Sequence, residues 1–155
     1  MSDPAFVTLY SPHSATKFLL NQYAAGFNER GLEKIFRLFH PSGMVRFGEL
    51  DYHSPYNVLY IHQFLFLPNQ ALGYETRLTF LNPGTRSKEF FSGEKIVQNG
   101  KGSLVRTWRS PNNIRTKVEY FGYTVTITKT VRVAADSQKI DQWFIENLTL
   151  DAVPW

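Results

Sequence analysis

From Gly73 onward the apolar residues stop recurring at helical spacing and alternate one by one, which divides the chain into a helical part and a sheet part. Tyr74 to Leu81, Lys88 to Gln98, Ser103 to Arg109, Ile114 to Tyr120, Tyr123 to Val133 and Ile140 to Leu150 read as strands. Between them stand Asn82-Pro83-Gly84, Asn99-Gly100-Lys101-Gly102, Pro111-Asn112-Asn113 and Ala135-Asp136-Ser137-Gln138. Their turn chemistry predicts a meander of antiparallel strands, with Asn99 to Gly102 as a hairpin turn.

Ahead of the sheet, residues 1–13 read as an extended lead-in and Ser14 as the N-cap of a first helix carrying Phe18, Leu19, Tyr23, Ala24 and Phe27 on one face. Gly31 ends it. A short second helix from Leu32 to Phe39 is stopped by His40-Pro41, and Met44 to Leu50 reads as a strand. Pro55 suits the first turn of a third helix ending before Pro68, and Val58, Leu59, Ile61, His62, Leu65 and Phe66 make it apolar around much of its circumference. With no linker or repeat, residues 1–155 are expected to form one α+β domain: N-terminal helices packed on a curved antiparallel sheet.

The chain is long enough to bury a core without staples, and it has no cysteine, so disulfides, thiol nucleophiles and thiolate metal sites are excluded. Thirteen Phe, eight Tyr and three Trp supply enough aromatic surface to line an apolar cavity, fill a core or cover a dimer face. Seventeen basic against thirteen acidic residues give a net charge of +4. The basic residues are scattered, and the densest group, Arg106, Arg109, Arg115 and Lys117, brackets a turn where alternation sends charge to water; no nucleic-acid role is expected. Met1-Ser2-Asp3-Pro4 lacks the regions of a signal peptide and no apolar run reaches membrane-span length, so a cytoplasmic protein without a membrane partner is expected.

The order helix, short helix, strand, helix, long antiparallel strands resembles the cone-shaped fold of the nuclear transport factor 2-like superfamily, particularly its SnoaL-like branch. Tyr23-Ala24-Ala25-Gly26-Phe27-Asn28 leading into Gly31-Leu32-Glu33-Lys34-Ile35, and Lys139-Ile140-Asp141-Gln142-Trp143 opening the last strand, carry the resemblance. It implies an apolar pocket between the helices and the concave face of the sheet, and a dimer interface on the opposite face. Thr124, Thr126, Thr128 and Thr130 form a ladder suited to that interface. Activities within the superfamily range from steroid isomerases, dehydratases, epoxide hydrolases and cyclases to non-catalytic transport factors, so the site must decide the function.

Histidine acid-base chemistry from the sheet is not available, because His13, His40, His53 and His62 all lie off the long strands; only His62, on the third helix, is a pocket candidate. Asp141 is the one strand aspartate and opens its strand, where a solvated charge is expected. No serine elbow, phosphate-cradling loop or metal-ligand spacing is present, and neither metal nor cofactor is expected. Tyr23, His62, Tyr74, Arg106, Trp108 and Tyr120 combine an apolar body with a polar tip and are the candidates to line a pocket.

Lys129 shares a strand face with Tyr123, Val125, Ile127, Val131 and Val133, so its charge is aimed at apolar ground. If Val133 pairs with Ile140, Lys129 stands opposite Phe144 and diagonal to Glu146; a slip of one residue exchanges Glu146 for Asn147 on that face. Lys129, Glu146 and His62 are thus the catalytic candidates, and Tyr23, Tyr74, Arg106, Trp108, Tyr120 and Asn147 the substrate-binding ones. Such a set suits a cofactor-independent cyclase or isomerase holding a bulky apolar terpenoid or polyketide intermediate, for instance a Diels-Alder cyclase that polarises a conjugated carbonyl. The rival is a non-catalytic dimeric binding module whose cone is filled by its own aromatics.

Overall fold

A computed structural model describes residues 12–51, 53–71, 74–81, 88–92, 95–133, 135 and 139–152. Among these the elements run α1 (Pro12–Asn28), α2 (Leu32–Phe36), β1 (Phe39–Phe47), α3 (Asn57–Ala71), β2 (Tyr74–Leu81), β3 (Lys88–Ser92), β4 (Lys95–Ser110), β5 (Asn113–Val133) and β6 (Lys139–Leu150). The sheet order is β1-β6-β5-β4-β2, with β3 beside β4. It is mixed: β1 runs parallel to β6, and the other pairings are antiparallel. The helices pack on one face of this curved, unclosed sheet, as an α+β cone requires.

The helical face of α1 is set by Ala15, Thr16, Leu19, Leu20, Tyr23 and Phe27, all buried. Its last carbonyls accept from the backbone N–H groups of Glu29, Arg30 and Gly31, and Arg30 takes a left-handed φ of 59°. The Arg30 side chain holds that bend, donating to Phe27 O at 2.7 Å and Thr76 O at 2.8 Å while its guanidinium lies over the Phe27 and Phe66 rings. Asn28 pairs with the backbone N–H and C=O of Leu78 at 2.7 and 2.9 Å, docking the end of α1 on β2. Both contacts fix where Tyr23 stands over the sheet.

Several boundaries differ from the sequence expectations. The first helix starts at Pro12, inside the expected lead-in, and the side chain of Ser14 lies outside the described residues. The second helix ends at Phe36, and His40-Pro41 lie within β1, whose pairing with β6 is irregular between Phe39 and Met44. Pro68 does not stop α3, which runs on to Ala71 although an interior proline removes an N–H and crowds the carbonyl one turn back. Asn99 to Gly102 is not a turn: β4 passes through it unbroken, pairing with β3 over Lys95 to Asn99 and with β2 over Lys101 to Trp108. Gly100 and Gly102 are cross-strand partners of Tyr123 and Phe121, and a Cβ at either would collide with the facing ring. The glycines make room for aromatic rings laid across the sheet.

Candidate active site on the concave face

α1 and α3 bring Tyr23 and His62 together above the sheet, both at 0% exposure. His62 Nδ1 lies 2.6 Å from Val58 O, one turn back on α3, and a carbonyl can only accept, so Nδ1 carries the proton. Nε2 is then an acceptor, and the Tyr23 hydroxyl donates to it at 2.6 Å. Phe27, Phe47 and Phe66 surround the imidazole with ring centroids 5.9 to 6.4 Å away. In this apolar setting burial pushes the His62 pKa down to about 4, against a smaller upward pull from the Val58 hydrogen bond, and burial raises the Tyr23 phenol well above its ordinary value. Both partners are therefore neutral at physiological pH. A neutral, tautomer-locked pair polarises or relays a proton well but is a weak net base.

Phe80 extends the aromatic surroundings, with its ring 6.2 Å from Tyr23, 5.0 Å from Tyr123 and 6.1 Å from Phe121. Gln98 donates to the Tyr123 hydroxyl at 3.1 Å. Phe27, Phe39, Phe47, Phe66, Phe80, Phe121 and Tyr123 are thus all buried around the dyad. Farther along β4, the buried Arg106 forms an ion pair with Glu119 of β5, while Lys117 and Arg115, cross-strand neighbours of Arg106 and Trp108, are exposed. Glu119 is a partner of Arg106 that the sequence reading missed. Pairing the strands about Pro111-Asn112 would have placed it diagonal to Arg106.

The other sequence candidates are distributed as follows. Lys129 is half-buried on the Tyr123, Val125 and Ile127 face, opposite Trp143 rather than Phe144, because Val133 pairs with Lys139. Thr126 pairs with Asn147 and Ile127 with Ile145, so Glu146 is the extra residue of a bulge. The bulge turns Glu146 to the outer face, where Lys95 holds it at 2.7 Å; the expected Lys129–Glu146 pair is not formed. Asn147 is on that outer face too, exposed beside Thr126 and accepting from the Thr149 hydroxyl at 3.3 Å. Tyr120 is 71% exposed and alternates to the side away from the helices, so it does not line the concave face. Trp108 is half-buried on the helix side, paired with Tyr74, whose side chain lies outside the described residues, as does that of Asp141.

A separate cavity of about 370 Å³ lies on the outer side of α3, lined by Leu50, Asp51, Tyr60, Ile61 and Phe64. Among the described residues no cluster of three or more His, Asp or Glu could hold a metal ion, and no helix is long and apolar enough to cross a membrane.

No family model matches the sequence, and no curated protein matches it. Solved structures do. ActVI-ORFA from Streptomyces coelicolor superposes with a TM-score of 0.63 at 8% identity, over 90% of this chain and 96% of that one. A nuclear transport factor 2-like superfamily protein from Salmonella enterica gives 0.62 at 10% identity, over 90% and 88%. A hexachlorocyclohexane dehydrochlorinase from Novosphingobium barchaimii gives 0.59 at 14% identity, over 88% and 83%. These similarities, over most of each chain, assign this protein the nuclear transport factor 2-like fold.

Proposed function

We propose that the protein is a cofactor-independent isomerase or cyclase acting on a bulky, largely apolar intermediate of terpenoid or polyketide type. The observation that carries this reading is the Tyr23–His62 pair: two neutral groups, fully buried, joined by a 2.6 Å hydrogen bond and locked in one tautomer by Val58. Structural neighbours named as a dehydrochlorinase and a ketosteroid isomerase-like protein are consistent with it. A substrate carbonyl reaching Tyr23 between the surrounding rings would accept from the phenol in place of His62 Nε2, and the apolar surroundings would strengthen that bond as charge develops. Ring closure or double-bond migration then needs no water and no strong base. Lys129 and Arg106 lie on the same side of the sheet, Arg106 already paired with Glu119. A Diels-Alder cyclisation is one reaction of this kind.

The test is a panel of polyene and polycyclic terpenoid and polyketide intermediates incubated with the protein and no added cofactor, followed by chromatography and mass spectrometry. A mass-neutral conversion, absent from a folded Tyr23→Phe/His62→Leu protein, is the expected result. Conversion unchanged in that variant removes the dyad from the reaction.

A second reading, a non-catalytic binding module, is consistent with the buried aromatics packed around the dyad. It predicts that no member of the panel is converted and that none raises the melting temperature in a saturable way. Under either reading we propose a homodimer through the outer sheet face, where Ile114, Val118 and Tyr120 are exposed alongside Thr124. Sedimentation should show a dimer that Tyr120→Glu converts to monomer; a wild-type monomer at high concentration would exclude it.

A further inference from the structure

The cavity on the outer side of α3 belongs to neither the dyad nor the sheet. Its volume of about 370 Å³ falls in the range of small-molecule sites. Ile61 forms a buried floor, Leu50 and the half-exposed rings of Tyr60 and Phe64 supply the walls, and Asp51 is the single charged group among the described lining residues. The Tyr56 ring stands 5.7 Å from that of Tyr60 and continues the aromatic surface.

We propose that this cavity binds a small organic cation, a quaternary or protonated amine on an apolar body. An apolar concavity walled by two π-faces attracts positive charge electrostatically. Among the described lining residues the one ionised group is a carboxylate, in a chain whose net charge is +4. An anion would meet Asp51 with no cation among the described lining residues, and a neutral apolar guest would strip water from the carboxylate without supplying it any charge. The Asp51 side chain is 27% exposed and its partner there, His53 Nε2 at 3.0 Å, sits on a ring 83% exposed. That imidazole is anchored from one side only, so a guest ammonium can take its place at the carboxylate with little loss of packing. His62, one residue beyond Ile61, points into the sealed core, so the two sites are separated by α3 itself.

The experiment titrates the full chain with benzyltrimethylammonium and, separately, with its uncharged carbon isostere neopentylbenzene. Backbone amide shifts and isothermal calorimetry report binding. Saturable shifts centred on Leu50, Asp51, Tyr60 and Phe64 are expected for the ammonium. Affinity should fall by about tenfold in Asp51→Asn and in Phe64→Leu, and the isostere should bind at least about tenfold more weakly. Both substitutions are at the surface, and unchanged urea midpoints would show that they fold. Equal binding of the two probes, an Asp51→Asn protein as good as the wild type, or shifts located elsewhere would each overturn the proposal. So would self-association through this face, seen as a dimer that Phe64→Ser abolishes while the ammonium fails to bind.

Discussion

The two sides of α3 use their polar and aromatic groups differently. The inner side buries Asn57 and His62 among Val58, Ile61, Leu65 and Phe66, and the outer side carries Tyr60 and Phe64 in water, with the exposed Tyr56 just ahead of the helix. Inside, each polar group has a partner: Asn57 Oδ1 accepts from the buried backbone N–H of Val45 at 2.7 Å, and His62 is bonded at both nitrogens. Outside, Tyr60 and Phe64 line the cavity. A fully satisfied polar interior fixes one conformation, whereas large exposed rings fix none. The inner side is therefore where mutations should cost stability, and the outer side where they should cost binding.

The largest effect is expected at the dyad. His62→Leu leaves the Tyr23 hydroxyl buried without its acceptor and should lower stability by about 3 kcal/mol in urea unfolding; Tyr23→Phe, which orphans Nε2, should lose about 2. Removing both polar groups together should cost less than the sum of the single changes, because neither is then left unmatched. Strict additivity would mean that the 2.6 Å contact carries no coupling and that the inner side is ordinary core.

Nearly as large is the pH dependence. His62 is lowered from 6.5 to about 4 by burial, so between these values the unfolded chain binds a proton that the folded chain refuses. Stability should decline as pH falls from about 6.5 towards 4, by up to roughly 3 kcal/mol, with no contribution from this group above that window. The Tyr23→Phe/His62→Leu protein should lack this component. A wild-type curve that matches it would show that water or a counter-charge reaches the imidazole.

How much of this was legible in the sequence follows from what each signal measures. Period-two alternation identified the faces of β5, with Tyr123, Val125 and Ile127 inside and Thr124 outside. It could not see that Gly100 and Gly102 are gaps for the Tyr123 and Phe121 rings, because glycine writes the same letters in a turn and beneath a cross-strand ring. The bulge at Glu146 was invisible for a related reason: one inserted residue leaves composition unchanged yet turns Glu146 to Lys95 and away from Lys129. On α3, of the residues read as its apolar stretch, Val58, Ile61, His62, Leu65 and Phe66 are buried and Leu59 is partly so, while Tyr60 and Phe64, which that reading did not single out, face out. Tyr23 and His62 were recognised as candidates; their bond, spanning 39 residues, needed the fold.

Asn57→Ala offers a smaller test of the inner side. It removes the acceptor of the Val45 N–H where α3 meets β1, and a loss of about 1 to 2 kcal/mol is expected. Asn57→Asp keeps an acceptor oxygen and should recover part of it. If both variants unfold at the wild-type urea concentration, water replaces the side chain and the junction is wetter than the inner side of α3 requires.

The smallest effect, and the sharpest test of the contrast, belongs to the outer side. Tyr60 and Phe64 are 44% and 52% exposed, so much of each ring already lies in water in the folded protein and little apolar area is returned to solvent when either is truncated. Serine has a lower helix propensity than an alkyl residue but a similar one to an aromatic, so the helix itself should hardly register the change. Tyr60→Ser and Phe64→Ser should therefore shift stability by no more than about 0.5 kcal/mol each. Every aromatic on the inner side, by contrast, loses a cavity's worth of contacts on truncation; Phe66→Ala, beneath the Arg30 guanidinium and 5.3 Å from the Phe27 ring, should cost about 3 kcal/mol or more. Measured in the same denaturant series, that ratio is what distinguishes a ligand surface from a rim of the core. Losses above about 1.5 kcal/mol at Tyr60 or Phe64 would mean that the outer rings hold Leu50 and the β1–α3 connection in place, and the two sides of α3 would then be one continuous core.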